Sequence, residues 1–393
     1  MRWPGLVIMH EFSIHHLVAA QTLGRGRRDR HLEEMRANHG DQGAERARMT
    51  VWGGEPPPWD SDPLTLPVNR RVLGQATRVL THSRFVADAV AVVHPDLYVT
   101  HVDYHAFPVP EAVAGEEPEP RRTGEGCRFI TAGNLTPNKC IEVTLLALSR
   151  IRRRAAFRYD LVGKQRMDKD LLTFARHMDL EDRVRILGRV GKADLYRSLR
   201  SSDVCICLRD PTVGETSGIV MRALAAGRPV VVTEGGWFRE LPDEIAIKVT
   251  AGERMDIPLA GELDAIAKDP KRLQSMKDAA LAYARERSPE VSADGYDAFV
   301  RRAGTFSNRW IGGAFHRMTA RLHDLDAEYA ACASRRALAD QLDIAEWREP
   351  AMKRPIPSPR VKRFEEQTAQ AKADPRPKRR RRVRRMARPV ELD

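Results

Sequence analysis

The sequence has no apolar run approaching the roughly 20 residues that a membrane-spanning helix needs. The first 20 residues lack the continuous apolar core of an ordinary signal peptide, because polar residues interrupt them: His10, Glu11, His15 and His16. The sequence therefore predicts neither a membrane span nor export, and we expect a cytoplasmic location. Aromatic residues make up only 6% of the chain and charged residues 31%, which is typical of a soluble, helix-rich protein.

Cysteine is also scarce. The five cysteines, at positions 127, 140, 205, 207 and 332, have no spacing typical of a metal site, and their odd number gives no disulfide framework. This pattern indicates a reducing compartment. Cys205 and Cys207 alternate within an apolar run, which predicts that both lie on one face of a strand as small buried residues.

The net charge of +12 suggests nucleic-acid binding until the basic residues are located. Nine Lys or Arg residues and no acidic residue occur in 376–388, so +12 less nine leaves about +3 for the rest of the chain. Such a basic tail could bind nucleic-acid phosphates without sequence preference, contact an anionic membrane, or remain solvated without a partner. Residues 350–393 are rich in proline and arginine and are expected to be disordered.

The stretch 203–241 organises the middle of the chain. It reads as an apolar strand at 204–208, a polar loop, an apolar helix at 219–226 and a β-branched strand at 230–233. Thr216 or Ser217 is placed to cap the helix. The first amides of a helix lack internal partners and carry a partial positive charge, so this loop is suited to an anion.

Glu215 is an acidic residue in that same loop. Its carboxylate could accept hydrogen bonds from sugar hydroxyls while the helix start holds a phosphate. Alternatively, Glu215 only lies in the favourable field of the helix N-terminus. The loop alone leaves both interpretations open.

Strands and helices alternate regularly through the central part of the chain. The strand candidates lie at 128–132, 157–162, 184–187, 204–208, 230–233 and 245–249. This order predicts a parallel, doubly wound α/β sheet with right-handed crossovers. Lys139 follows the first of these strands near a helix start and is a candidate phosphate ligand, although an exposed lysine is often only solvated.

Near the N-terminus, an apolar strand at 6–9 is followed by His10 and Glu11. Ligands of parallel α/β sheets bind beyond the carboxyl ends of strands, which makes His10 a candidate substrate contact. His15 and His16 fall on the helix that should follow, where histidines are mostly structural or solvated. Further strands are expected at 73–80 and 99–102, with a helix at 86–93 between them.

These patterns predict five segments along the chain. They are a partial N-terminal Rossmann-like domain at 1–112, a linker at 113–126, a C-terminal Rossmann-like domain at 127–287, helices at 288–349 and the disordered Pro/Arg-rich tail at 350–393. The N-terminal domain is expected to be incomplete, so that either the true start lies upstream or a partner completes its sheet.

Four segments between about 115 and 300 resemble, in the right order and spacing, the retaining, nucleotide-sugar-dependent glycosyltransferases of family 4, which have the GT-B fold. They are ITAGNLTPNKCIEVTLLAL, YDLVGK, VRILGRVGKADLYRSLRSSDVCICL and ETSGIVMRALAAGRPVVVTEGGWFRELP. Residues 1–110 resemble more weakly the second half of the family's N-terminal domain, where a strand ending in His-Asp is similar to Met9-His10-Glu11.

The resemblance implies a site for each matching residue. Gly133 would let the chain approach the donor diphosphate, Lys139 would bind phosphate, and Val190 would lie near the nucleotide base. The loop of Glu215, Thr216, Ser217 and Gly218 would hold the diphosphate and donor sugar, with Glu215 on the sugar hydroxyls. His10 would contact the donor sugar. The resemblance also implies transfer with retention, without a cofactor or metal ion, by front-face displacement in which the leaving phosphate accepts the acceptor's proton.

Three features depart from the family pattern. Asn134 occupies a donor-site position that is usually Arg, so one phosphate-binding charge is missing. Arg222 stands where the family has the carboxylate that grips ribose, and it either takes over a phosphate or simply lies on the helix. The N-terminal domain is also short by several strands.

Three functions remain open from the sequence. The first is a glycosyltransferase acting on a glycan or lipid-linked acceptor, in the cytoplasm or peripherally at the inner face of the membrane. The second is a catalytically inactive binding or scaffold protein of glycosyltransferase ancestry. The third is a nucleic-acid-binding protein that uses the basic tail.

Overall fold

The computed structural model describes residues 5–166 and 170–304, which fall into two compact units. The first unit contains the chain up to Val102 and the helical residues from Tyr296 onward, and the second contains Asp103–Gly295. The predicted segment 305–349, with Trp310 and Trp347, and the predicted tail 350–393 lie outside the described residues.

The element bounds follow the chain order. The strands are β1 Gly5–Met9, β2 Ala76–Thr81, β3 Val99–His101, β4 Cys127–Ala132, β5 Phe157–Val162, β6 Val184–Gly188, β7 Val204–Cys207, β8 Val230–Thr233 and β9 Ala246–Val249. The α-helices are α1 His15–Thr22, α2 Arg28–Val51, α3 Pro58–Ser61, α4 Arg70–Leu73, α5 Arg84–Val93, α6 Glu111–Ala114, α7 Ile141–Ile151, α8 Leu171–His177, α9 Lys192–Ser201, α10 Gly218–Ala225, α11 Asp256–Lys268, α12 Pro270–Glu286 and α13 Pro289–Gly304.

In the first unit, β1, β2 and β3 form a parallel sheet with β2 in the middle. Apolar side chains from the sheet, from α5 and from the loop after β1 build its core, among them Phe12, Val79 and Val90, each at most 1% exposed. The predicted strand at 73–80 starts later, because Arg70–Leu73 forms a helical turn. The prediction that this domain is shortened stays a prediction.

Two buried histidines of the first unit, His15 and His31, and the half-buried His39 are held in their neutral form. Burial lowers the pKa of His15 to about 3 and the pKa values of His31 and His39 to about 4. The Nδ1 atom of His15 lies 2.9 Å from the Leu66 carbonyl oxygen, which supports the interpretation of His15 as a structural residue. His16 is exposed and lies 3.5 Å from Glu11.

The second unit contains six parallel strands in the order β6-β5-β4-β7-β8-β9. The chain builds outward from β4 to β6 and then returns to the other side of β4 with β7, so the strand order reverses between β4 and β7. The predicted parallel, doubly wound sheet is therefore confirmed. In such sheets ligands bind outside the carboxyl ends of the strands at the reversal point, which here is the β4–β7 crevice.

Alternating side chains of these strands face two apolar layers. Phe129 belongs to the layer under α7 and α11, whereas its neighbour Ile130 belongs to the layer under α10 and α12. Cys205 and Cys207 are at most 2% exposed and lie together in the second layer, as predicted for small buried residues on one strand face.

The predicted linker at 113–126 differs from the structure. Residues 103–126 belong to the second unit, so the division between units falls after Val102 rather than after 112. Arg128 is 1% exposed and donates to the carbonyl oxygens of Glu119 and Pro120. Arg158 pairs with Glu119 and Glu125. Acidic residues of the predicted linker thus pair with buried arginines of the sheet.

Among the described residues, no helix is long and apolar enough to cross a membrane.

Candidate functional site

The candidate site lies where β4 and β7 end side by side. The first loop (residues 133–140) follows β4, and the second loop (residues 208–217) follows β7. The two loops are joined by a backbone hydrogen bond, in which Asp210 N donates to the Asn138 carbonyl oxygen over 2.8 Å. Residues far apart in sequence therefore share one crevice within the second unit.

Gly133 and Lys139 are brought together by the first loop. Gly133 has a φ of 92°, and a Cβ atom at this position would lie 2.6 Å from Lys139 Nζ. The Lys139 ammonium donates to the Ala132 carbonyl oxygen over 2.8 Å, and the residue is only 8% exposed. Glycine at 133 thus leaves the space in which the Lys139 side chain folds back over the end of β4.

The surroundings of Lys139 disfavour its positive charge. Burial, assisted by the nearby charge of Arg209, lowers the pKa of Lys139 to about 8, although Glu215 acts in the opposite direction. The amine is still mostly protonated at neutral pH. A buried ammonium that is under-compensated in this way favours the arrival of an anion.

Glu215 and Arg209 form an ion pair in the second loop. Arg209 Nε lies 2.9 Å from Glu215 Oε1, and the two side chains are 11% and 14% exposed. The other carboxylate oxygen, Oε2, accepts from Thr212 Oγ1 over 2.7 Å and from Val213 N over 3.0 Å. These three contacts within the second loop therefore hold the Glu215 carboxylate in place.

Helix α10 begins at this crevice. Ser217 is its N-cap, with Oγ accepting from Val220 N over 3.4 Å, so the expected cap is Ser217 rather than Thr216. Met221 N donates to the Ser217 carbonyl oxygen, so the helix's own ladder does not use the amides of Gly218 and Ile219. Thr216, half-buried, precedes the cap.

Arg222 and Gly218 contact each other within the second unit. Arg222 Nη1 donates to the Gly218 carbonyl oxygen over 2.9 Å, and the guanidinium carbon lies 3.9 Å from the centre of the Phe107 ring. These contacts favour the alternative in which Arg222 serves local structure. Its assignment to the donor site stays a prediction.

The remaining predicted site residues lie in the first loop, after β6 or in the other unit. Asn134 is exposed in the first loop, and Val190 follows β6, two strands away from β4, where it is partly buried. His10 follows β1 in the first unit, with its ring centre 5.0 Å from that of His82. His82 is held by the Val102 carbonyl oxygen and the Tyr296 hydroxyl.

Sequence reasoning missed Arg209. The available signal was an arginine placed directly after an apolar strand and a few residues before the Gly-Glu-Thr-Ser-Gly loop, where a parallel sheet presents its ligands. Within the described residues, no group of three or more His, Cys, Asp or Glu side chains is arranged to hold a metal ion.

Comparison with known proteins gives this crevice a family context. Residues 126–257 match the family model of glycosyl transferases group 1. The glycosyl transferases group 1 match runs from β4 through β9 and includes both loops and helix α10. It covers about a third of the 393-residue chain. The chain has no significant match among curated proteins.

Solved structures similar to the chain include sucrose-phosphate synthase from Thermosynechococcus elongatus, at 16% identity and a TM-score of 0.54 over 78% of this chain and 69% of that one. This similarity and the parallel α/β architecture confirm the predicted GT-B fold. Anabaena HepE, solved in complex with UDP, has 17% identity and a TM-score of 0.48 over 61% and 67%. WaaG, a glycosyltransferase involved in lipopolysaccharide biosynthesis, has 13% identity and a TM-score of 0.49 over 76% and 75%.

Proposed function

We propose that this protein is a glycosyltransferase that moves a sugar from a nucleotide-sugar donor to a glycan or lipid-linked acceptor, with retention of configuration and without a metal ion. The observation that carries the proposal is the buried ammonium of Lys139 at the point where the strand order reverses, on the loop that is hydrogen-bonded to the loop leading into α10. The family match over the same residues supports it.

The proposed chemistry follows from where negative charge develops. As the bond between the sugar and the diphosphate breaks, charge accumulates on the leaving phosphate oxygens. Lys139 and the amides of Gly218 and Ile219 are fixed electrostatic donors for that charge, and they need little reorganisation during the reaction. The acceptor hydroxyl attacks from the face that the phosphate leaves, and the leaving phosphate takes its proton. This front-face displacement retains the configuration without a protein nucleophile.

Other parts of the proposal rest on the sequence alone. The contact of His10 with the donor sugar stays a prediction, as does that of Val190 with the base. Residues 376–388 lie outside the described part of the chain, and we retain contact with an anionic membrane or with nucleic acid as a proposal for them, together with a cytoplasmic or inner-membrane-face location. The alternative function, an inactive binding or scaffold protein, is distinguished by the following experiment.

A thermal-shift panel of ADP, GDP, UDP and dTDP, each against its parent nucleoside, tests the proposal. One diphosphate at a hundred times its dissociation constant should stabilise the protein by about 2.7 kcal/mol, and the nucleoside by much less. The corresponding nucleotide-sugar should then be turned over. If no diphosphate raises the melting temperature or gives calorimetric binding, the glycosyltransferase proposal fails and the inactive alternative is favoured.

The affinity for the diphosphate should also depend on pH. The pKa of Lys139 is about 8, and the anion binds the protonated amine. Above pH 8 the affinity is therefore expected to fall about tenfold per pH unit, with one proton taken up on binding. Calorimetry between pH 6.5 and 9.5 measures this, and the control variant Lys139→Arg should flatten the profile. A flat wild-type profile would contradict the placement of Lys139 on the diphosphate.

A further inference from the structure

Arg209 is held rigidly at the mouth of the β4–β7 crevice. Its backbone N donates to Thr233 Oγ1 over 3.1 Å, and Thr233 Oγ1 donates to its carbonyl oxygen over 2.9 Å. The residue is thereby tied to the end of the neighbouring strand β8, and its side chain is only 11% exposed. A long cationic side chain fixed this far into a protein needs a compensating partner.

The guanidinium has two of its three nitrogens engaged. Nε lies 2.9 Å from Glu215 Oε1, and Nη1 donates to the Leu208 carbonyl oxygen over 2.7 Å. Nη2 donates no hydrogen bond to any residue in the described part of the chain. Because the guanidinium is planar, fixing two nitrogens also fixes the direction in which the third donates.

The charges around Arg209 leave a positive excess. Its charge helps to lower the pKa of Lys139, which places both cations in one electrostatic neighbourhood. The carboxylate paired with Arg209, that of Glu215, already accepts from Arg209, Thr212 and Val213. This arrangement suits a ligand with more than one negative charge. It combines two cations, Arg209 and Lys139, with the start of α10, and the Glu215 carboxylate is already occupied.

We propose that Arg209 binds the diphosphate of the donor together with Lys139, through Nη2, and that Glu215 is a positioning residue that holds the guanidinium for this contact. The inference rests on the proposed function and adds a residue to its site.

Calorimetric titration tests this with the nucleoside diphosphate that binds the wild-type protein best, and with its parent nucleoside. Arg209→Gln should weaken diphosphate binding about ten- to hundredfold and leave nucleoside binding unchanged, because only the phosphate contact is lost. Arg209→Lys should give an intermediate affinity, since lysine keeps the positive charge but lacks the planar guanidinium that directs the third nitrogen. Arg272→Gln, on the exposed face of α12, is the matched control and should change neither affinity.

The role of Glu215 is tested with the same diphosphate, which carries no sugar. Glu215→Gln should weaken diphosphate binding about tenfold in the wild-type background but have no further effect in Arg209→Gln, because Glu215 acts through Arg209. A carboxylate that only contacts sugar hydroxyls would leave diphosphate affinity unchanged, and that result would overturn the positioning role.

The outcomes separate this inference from the proposed function. Wild-type protein that binds no nucleoside diphosphate overturns both. Wild-type binding that survives unchanged in folded Arg209→Gln overturns only the inference. If Arg209→Gln does not fold, Arg209→Lys decides, because an affinity equal to that of wild type would contradict the proposed contact through the guanidinium Nη2.

Discussion

Lys139→Met is expected to reduce kcat/KM for sugar transfer by about 10²- to 10³-fold, the effect of removing one preorganised donor from a developing oxyanion. The same substitution should stabilise the unliganded protein. The pKa of Lys139 is lowered from 10.5 to about 8, so the unfolded chain holds the proton more tightly than the folded protein does. At neutral pH this costs the folded protein about 3 kcal/mol, a cost that disappears as the pH rises from 8 to 10.5.

Lys139→Met removes this cost, but it also removes the hydrogen bond to the Ala132 carbonyl oxygen, which contributes about 1 kcal/mol of stability. The free energy of unfolding should therefore rise by about 1–2 kcal/mol in Lys139→Met while activity falls. Denaturant unfolding and initial rates measure the two quantities. Lys271→Met, on exposed α12, is the control and should change neither. Lower stability together with unchanged activity would mean that Lys139 is a structural residue.

Gly163→Ala is expected to destabilise the protein by at least about 3 kcal/mol. Gly163 has a φ of 149°, and a Cβ atom there would lie 1.9 Å from the carbonyl oxygen of Gly133. The clash is with backbone, so the first loop itself must move, and diphosphate affinity should fall with stability. Only glycine at 163 allows the end of β5 to pack this closely against the loop that carries Lys139.

Gly261→Ala provides the matched control for this glycine. Gly261 lies in the exposed part of α11, and a Cβ atom there would meet nothing within 4 Å. Alanine should therefore stabilise the helix by about 0.5–1 kcal/mol, in the opposite direction to Gly163→Ala. Denaturant unfolding of both variants measures the difference. Equal effects of the two substitutions would contradict the close approach at Gly163.

The sheet of the second unit was predictable because its strands are short apolar runs separated by helices of clear amphipathic period. The strands at 157–162 and 230–233 have the predicted bounds. The position of the candidate site was predictable for the same reason, since a parallel sheet presents ligands beyond its strand ends. Lys139 and Ser217 accordingly lie on loops of adjacent strands.

Contacts between distant residues were not predictable from local pattern. The acidic residues of 113–126 indicate a linker by composition, and only the tertiary structure pairs Glu119 and Glu125 with Arg158. Likewise, Arg209 and Glu215 are separated by a loop whose conformation no periodicity encodes, so their ion pair was missed. Burial decides the charge of Lys139 too, and burial of a single lysine depends on the glycine that makes room for it.

A crystal structure of the protein with its preferred nucleoside diphosphate tests the central claim most directly. The account predicts diphosphate oxygens within hydrogen-bond distance of Lys139 Nζ and of the Gly218 or Ile219 amide. A diphosphate bound elsewhere on the second unit, with the Lys139 ammonium still donating only to the Ala132 carbonyl oxygen, would contradict it.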